Sequence, residues 1–171
     1  MRKSELALGD YSPFYQTYID TLSDVELIDI HQKQLQNFPQ FIESVPDAKL
    51  NHSYGEGKWT LAQALIHLID AERVFQYRAL CFSRGDKTAL PGFDQDDYVP
   101  NSNANRRSKE SIIEEYKAVR KSTIALFSNF DRQTLQMKGV ANNAEMSVAA
   151  LGFIISGHQR HHRNIIRERY L

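Results

Sequence analysis

The sequence predicts an all-α protein: a four-helix bundle with a long crossover between its second and third helices. Four segments carry a helical period of apolar residues, and no segment shows sustained alternation with hairpin turns, so we expect no sheet. The chain has 171 residues, of which 42% are hydrophobic and 25% charged, as in one ordinary globular domain. We therefore expect a single helical domain over residues 1–171.

Composition argues against several classes of partner. The formal net charge is zero, whereas nucleic-acid-binding proteins usually carry a basic surplus, so we expect no nucleic acid. No apolar run approaches the roughly 18–20 residues of a membrane span, so we expect no membrane partner. The single cysteine, Cys81, excludes an intramolecular disulfide and is expected to be a core thiol. Together with an N-terminus unlike a signal peptide, this favours the cytoplasm.

The first predicted helix opens at Ser23. Ser23 and Glu26 have the spacing of a capping box, and apolar residues follow at intervals of three and four as far as Ile42. Pro39 is expected to kink or split this helix. We expect His31, which falls in this segment, and His52 to be surface or loop residues, and we assign neither a role.

The second predicted helix opens at Thr60, which forms another capping box with Gln63. Trp59 precedes it at the position of a hydrophobic staple. Apolar residues cover much of its circumference, so we expect it to be central, and Gly85 is a plausible stop. Glu72 lies on an apolar stripe, which predicts a buried ion pair, with Arg163 as one candidate partner.

The third predicted helix runs from Ser108 to about Phe130, and the fourth from an N-cap at Ser147 nearly to the end of the chain. The connection over residues 84–108 is unusually long for a compact domain. Both a plain crossover and a lid are consistent with it. Three of its residues are candidates for contacting a substrate: Asp94, Tyr98 and Arg106.

Histidines form the most informative pattern. His158 and His162 continue the inward stripe of the fourth helix at spacings of three and four, whereas His161 is rotated by about 100° toward the flank. His67 lies on a stripe of small residues in the second helix. Two buried imidazoles need partners, since an unsatisfied buried polar group costs about 1–3 kcal/mol. They could bind one metal ion, or simply hydrogen-bond each other in the core.

A metal site is the interpretation that we carry forward. It would take His67, His158 and His162 as ligands and leave a coordination position open, which is typical of catalytic rather than structural sites. Asp70, three residues after His67, is a candidate for orienting a ligand. The sequence has no Gly-rich phosphate loop, no G-x-S-x-G elbow and no Glu-x-x-His pair.

Several motifs together resemble the DinB-like superfamily of DNA-damage-inducible bundle proteins. Lys-Trp-Thr opens the second helix, His-Leu-x-Asp-x-Glu follows, and Gly-His-x-x-x-His lies near the C-terminus. The segments "LPGFDQDDYV" and "RERYL" add to a likeness that extends from about residue 10 to the end. The combination is fairly specific, although no single motif is.

This resemblance implies an up-down-down-up bundle and a divalent metal, most often zinc or nickel, on three histidines that match His67, His158 and His162. It also implies a homodimer and a small-molecule substrate. Relatives of this kind include S-transferases and isomerases that use low-molecular-weight thiols such as bacillithiol or mycothiol, and others are classed as metal-dependent hydrolases. A metal would activate a thiol or a water as the nucleophile. The alternatives are a metal- or small-molecule-binding bundle without catalysis, and a structural or regulatory dimer without metal.

Overall fold

The computed structural model describes residues 1–171. Its α-helices are α1 (Gln16–Ile19), α2 (Leu27–Glu43), α3 (Leu61–Ser83), α4 (Gln95–Asn101), α5 (Lys109–Phe127), α6 (Arg132–Gln136) and α7 (Val148–Arg169). Its strands are β1 (Lys138–Ala141) and β2 (Ala144–Ser147), and its 3-10 helices are Lys3–Glu5, Pro13–Tyr15, Asp47–Lys49 and Ala104–Arg106. None of the helices combines the length and the apolar character that a bilayer crossing requires.

The four long helices, α2, α3, α5 and α7, form the predicted four-helix bundle. Each of α2 and α3 packs against both α5 and α7, so α2 and α3 lie diagonally across the bundle from each other. The short helices α1 and α6 pack against α7, and α4 packs against α3. The predicted fold class is therefore confirmed.

Helices α3 and α5 run in the same direction. Arg73 of α3 pairs with Glu115 of α5 at 2.7 Å, and Gln76, later in α3, donates to Ser122, later in α5, at 2.7 Å. Parallel neighbours cannot be joined by a short turn, because the chain must return to the end of the bundle from which it started. The long connection over residues 84–108 is that return.

Two of the other neighbouring pairs, α2 with α5 and α3 with α7, establish the rest of the topology. Lys109, at the start of α5, donates to the carbonyl of Val45, just beyond the end of α2, at 3.0 Å, so these helices are antiparallel. Tyr170, just beyond the end of α7, donates to the carbonyl of Trp59, just before α3, at 2.8 Å. The directions are therefore up, down, down and up, as the family resemblance implied.

The crossover is attached to a small β-hairpin that the sequence did not predict. β1 and β2 pair antiparallel, and Leu90 of the crossover donates to Val140 at 2.9 Å and accepts from Asn142 at 3.0 Å. The turn residues Asn142 and Asn143 have φ of 50° and 58°, the left-handed region that asparagine tolerates in tight hairpins. The expectation of no sheet was wrong, because strands of four residues are too short to show alternation.

The start of α2 differs from the prediction. The helix begins at Leu27, and Ser23 does not cap it. Glu26 instead binds the N-terminal amino group at 2.7 Å, and the Leu27 amide donates to the Met1 carbonyl at 3.0 Å. The Glu26 side chain and the Leu27 amide thus bind Met1, instead of a capping side chain at the start of the helix. Pro39 does not split the helix, which continues to its end at Glu43.

The remaining predicted helix ends agree well with the structure. Thr60 and Gln63 form the predicted capping box, with bonds of 2.9 and 3.2 Å. Ser108 and Ser147 are N-caps, and each hydroxyl accepts from the amide three residues further on. Gly85, with φ of 76°, follows the end of α3 and provides the left-handed residue that ends it. Helix α5 ends slightly earlier than predicted.

Buried polar side chains lie between two hydrophobic clusters in the bundle. One cluster contains Leu27, Phe75, Phe127 and Phe153, and the other contains Phe38, Leu65, Tyr116 and Ile166. We call the buried polar residues between them the polar layer: His31, Gln34, His67, Glu72, Arg120, Thr123, Ser156, His158 and Gln159. All four bundle helices contribute to this layer, which positions the candidate site.

Candidate metal centre

Three histidines from two helices meet at one end of the polar layer. His67 comes from the second turn of α3, and His158 and His162 come from successive turns of α7. Because α3 and α7 pack antiparallel, His67 faces both of them. His67 is 3% exposed and His158 is 5% exposed, while His162 is partly exposed. The helical spacing had predicted this convergence.

The ring nitrogens of these histidines converge on one point. His67 Nε2 lies 3.1 Å from His158 Nε2, and each of the three rings offers a nitrogen within 4.8 Å of the others. The ring centroids are 5.0 Å apart for His67 and His158, 5.0 Å for His67 and His162, and 4.5 Å for His158 and His162. The arrangement is a compact triangle rather than a row, and we call these three residues the histidine triad.

Burial keeps the three imidazoles neutral. It lowers the pKa of His67 to about 4. Burial, and then the neighbouring His67 and His161, lower the pKa of His162 to about 3. The pKa of His158 is also well below its usual range, mainly because of burial and secondarily because of the adjacent histidines. Each ring therefore keeps a lone pair for an acceptor or ligand role at neutral pH.

The donor set fits a divalent transition metal. Two nitrogens bonded to one zinc at about 2.0–2.1 Å and a tetrahedral angle lie roughly 3.3 Å apart, close to the 3.1 Å between His67 and His158. Neutral imidazoles suit zinc and nickel in particular. A hydrogen bond between the rings of His67 and His158 would also explain the 3.1 Å contact. It would not explain why the ring of His162 lies beside both of them.

Aromatic side chains surround the histidines and limit their contact with water. The ring of Trp59 lies 4.9 Å from His67, and the rings of Tyr18 and Phe75 lie 5.0 and 6.3 Å from His158. Gly157 makes room for this cover, because a Cβ at that position would collide with the Tyr18 carbonyl. The segment containing α1 can therefore lie directly against α7.

An open pocket of about 500 Å³ reaches two of the histidines. It lies between α3, α1 with the segment leading into it, and residues 92–95 of the crossover. Its lining residues are Phe14, Tyr15, Tyr18, His67, Ala71, Phe75, Arg78, Gly92, Phe93, Asp94, Gln95, Asn142 and His158. We call this space the histidine pocket. On the other side, His162 lines a separate recess with Trp59 and Tyr170.

Two predicted residues near the triad have different outcomes. Asp70 does not contact the histidines: its carboxylate pairs with Arg73 at 3.3 Å, and it lines a different surface recess. Asp70 therefore does not orient any of the three histidines in this structure, because its carboxylate faces Arg73 and the recess between α3 and α4. His161 lies on the flank, as expected, with its ring 5.2 Å from Tyr18.

Of the three candidate residues in the crossover, one reaches the histidine pocket. Asp94 lines it, and its side chain also caps α4 by accepting from the Asp96 amide at 2.9 Å. Tyr98 is exposed and packs on Phe93 at 5.4 Å, facing the recess beside α3 instead. Arg106 does not line the pocket.

Glu72 is buried as predicted, but its partner is Arg120 rather than Arg163. Arg120 is fully buried and donates to both Glu72 oxygens at 2.7 Å. It also donates to Gln34 at 2.6 Å and to Gln159 at 2.9 Å. Because Gln159 adjoins His158 in sequence, this network restrains α7 immediately beside the triad.

His31 corrects a second expectation. It was predicted at the surface, yet it is fully buried in the polar layer. Its Nδ1 lies 3.4 Å from both Arg120 and Ser156, so it belongs to the arginine network rather than to the cluster of His67, His158 and His162. Its spacing, four residues after the buried Leu27 and three before the buried Gln34, was the available signal. His52 is exposed, as expected.

A sequence profile described as the DinB superfamily matches residues 30–166. The match covers most of the chain and contains all three histidines of the triangle. The chain belongs to the DinB superfamily. The resemblance drawn from its motifs is thus confirmed.

Known proteins similar to this DinB superfamily chain carry names that refer to metals and thiols. A protein of Oceanobacillus iheyensis named "putative metal-dependent hydrolase" is 24% identical over 145 residues, covering 81% of this chain and 83% of that protein. The structure of YfiT from Bacillus subtilis, described as a "probable metal-dependent hydrolase with an unusual four-helix bundle topology", matches with a TM-score of 0.68 and 17% identity. That match covers 84% of this chain and 85% of YfiT.

A second solved structure is a mycothiol-dependent maleylpyruvate isomerase. It matches this DinB superfamily chain with a TM-score of 0.65 and 9% identity. The match covers 90% of this chain and 62% of the isomerase, which is the longer protein. At such identities the likeness to both solved structures establishes a common fold.

Proposed function

We propose that the protein is a metal-dependent enzyme acting on a small molecule, with His67, His158 and His162 as ligands of one divalent ion, zinc or nickel. One observation carries this proposal: three neutral imidazoles lie within 4.8 Å of one another beside an open pocket. Three nitrogen ligands leave a coordination position for a reactant, as in catalytic zinc sites. A second support comes from two similar proteins whose names describe metal-dependent hydrolases.

The chain's own residues would bind, orient and shield the reactants. When bound, the ion would lower the pKa of a coordinated thiol or water, so that a nucleophile exists at neutral pH. The pocket gives a reactant access to His67 and His158. Tyr18 and Phe75 exclude bulk water on that side, which strengthens electrostatic interactions within the site. The Arg120 network holds α7 in place.

Between the two chemistries, we favour transfer of a low-molecular-weight thiol over hydrolysis. The support is the fold shared with a mycothiol-dependent isomerase. Hydrolysis is supported by the names of the Oceanobacillus iheyensis protein and of YfiT. The pocket is large enough for either reaction, since about 500 Å³ falls within the usual range of small-molecule sites. We further propose a homodimer.

The first experiment is elemental mass spectrometry on untagged protein. We expect about one transition metal per chain in the wild type and in His52→Ala, which alters an exposed loop histidine, and a loss of the metal in His67→Ala. No metal in the wild type after incubation with zinc or nickel and desalting would overturn the proposal. The histidines would then be core groups that hydrogen-bond each other.

Activity assays would then separate the two chemistries. The metal-loaded protein is incubated with an electrophile such as 1-chloro-2,4-dinitrobenzene and bacillithiol, mycothiol or glutathione, and separately with ester and amide substrates without thiol. Thiol transfer predicts turnover that needs both thiol and metal and is lost in His67→Ala. Turnover of the esters without thiol would instead favour the hydrolase. If the metal-loaded protein catalyses neither reaction, the enzyme proposal fails and a metal-binding bundle remains.

A further inference from the structure

Arg78 is a buried cation without an acidic partner. It is 3% exposed, and no carboxylate lies within ion-pairing distance of its guanidinium. Its one hydrogen bond runs from Nη2 to the carbonyl of Pro91 at 3.0 Å. The other buried arginine, Arg120, satisfies its charge on both oxygens of Glu72. An unpaired buried charge is costly, so the exception at Arg78 calls for a ligand.

The position of Arg78 shows what that ligand would contact. Residues 67, 71, 75 and 78 lie on one face of α3, and all four line the histidine pocket. The guanidinium carbon lies 5.7 Å from the centre of the Phe75 ring, and the centre of the His158 ring lies 6.3 Å from the same point. One pocket therefore connects His67 and His158 with Arg78, and both His158 and Arg78 lie beside the ring of Phe75.

The chemistry of the lining defines the class of ligand. The planar guanidinium fork can bind either a carboxylate or a phosphate through two hydrogen bonds. A singly charged carboxylate fits this pocket better, because a phosphate dianion would be repelled more strongly by Asp94 in the same lining. Along α3, the residues of the lining between Arg78 and His67 are the apolar Ala71 and Phe75, and the ring of Tyr15 packs on Phe75 at 5.9 Å. Asp94 is the one acidic residue of the lining, and it caps α4. A second negative group on the ligand would be repelled by the Asp94 carboxylate, so a ligand with one negative charge is favoured.

We infer that Arg78 binds the carboxylate of a small organic acid whose apolar body extends along Phe75 and places its reactive end at the histidine triad. This inference rests on the proposed function in treating that acid as a reactant. Arg78 is then a residue for substrate specificity, distinct from the three proposed ligands. Nothing in the sequence patterns had singled it out.

A binding experiment on metal-free protein tests the inference. Isothermal titration calorimetry compares 3-phenylpropanoate with its neutral analogue 3-phenylpropanamide, after treatment with chelator. We expect the wild type to bind the acid about tenfold or more tightly than the amide, since a charged hydrogen bond is lost in the amide. Arg78→Met should bind both equally, and Arg78→Lys should retain part of the preference.

Arg84→Met is the matched control, because Arg84 lies at the end of the same helix but is exposed and outside the pocket. It should keep the wild-type preference. If folded Arg78→Met still prefers the acid, or if the wild type shows no preference, the inference is overturned. If Arg78→Met does not fold, the Arg78 Nε–Hε signal of the wild type in ¹⁵N NMR decides: it should move with the acid and not with the amide, and the absence of movement overturns the inference.

Metal content keeps this inference distinguishable from the proposed function. An Arg78-dependent preference in a protein that never binds metal would retain the carboxylate site and reject the metal enzyme. A preference that appears only with metal and persists in Arg78→Met would place the carboxylate on the ion, and would reject the role of Arg78.

Discussion

Arg120 shows how one residue can couple all four bundle helices. From α5 it reaches Glu72 of α3, Gln34 of α2 and Gln159 of α7, and none of its surface is exposed. A buried ion pair contributes little net stability relative to apolar packing, but removing one partner leaves the other charge buried and unpaired. The network is therefore far more sensitive to a single substitution than its net contribution suggests.

Replacing this arginine should destabilise the fold strongly. We expect Arg120→Met to lower the free energy of unfolding by about 3–5 kcal/mol, because Glu72 is left uncompensated. Urea denaturation of the metal-free protein measures this loss of unfolding free energy. Arg73→Met, which removes a half-exposed arginine from α3, should cost no more than about 1 kcal/mol. Equal losses in the two variants would show that the buried network has no special role.

His31 should make stability depend on pH. Burial, and secondarily the charge of Arg120, hold its pKa well below the usual 6.5, so it is neutral in the folded state. The unfolded chain takes up a proton near pH 6.5, so the stability present above that pH is lost as the pH falls below it.

The variant His31→Gln keeps an acceptor for Arg120 and removes the titration. Between pH 7.5 and 5.5 it should lose about 1.4 kcal/mol less stability than the wild type, as measured by urea denaturation of metal-free protein. His52→Gln, at an exposed position, should keep the wild-type loss. An unchanged pH dependence in His31→Gln would mean that His31 has the same pKa in the folded and the unfolded chain, and would contradict the account.

At the scale of the elements, the long helices were predictable and the small ones were not. The capping box at Thr60 and the N-caps at Ser108 and Ser147 act through contacts within four residues, so the sequence alone contains them. The start of α2 depends instead on Met1, far away in the chain. The hairpin depends on Leu90 in the crossover, which no local pattern reveals.

Close packing of α1 on α7 leads to a prediction about Gly157. A methyl group there would meet the backbone carbonyl of Tyr18, and the neighbouring segment would have to move. We expect Gly157→Ala to destabilise the metal-free protein by about 1–3 kcal/mol, despite the higher helix propensity of alanine. Thermal or urea denaturation measures this change.

Gly55→Ala is the matched control, since its added Cβ would lie in ordinary contact with the Lys58 side chain at 3.6 Å. It should be close to neutral. A Gly157→Ala protein as stable as the wild type would show that the α1 segment is not held against α7. The cover that Tyr18 provides over His158 would then be loose.

For the whole molecule, the triad was predictable because it follows from helix periodicity. His158 and His162 continue a 3-4 stripe of buried residues, so the fold had to turn them inward. Arg78, Arg120 and His31 were not predicted, because one charged or polar residue near a stripe is usually solvent-facing. They are buried because residues of other helices surround them, and the spacing within one helix does not reveal which residues those are.

X-ray absorption spectroscopy of the zinc-loaded protein tests the central claim most directly. Three histidines sharing one ion predict three imidazole nitrogens at about 2.0–2.1 Å in the wild type, and two in His162→Ala. A wild-type spectrum without imidazole ligands, or one that His162→Ala leaves unchanged, would contradict the assignment of His67, His158 and His162 as a metal centre.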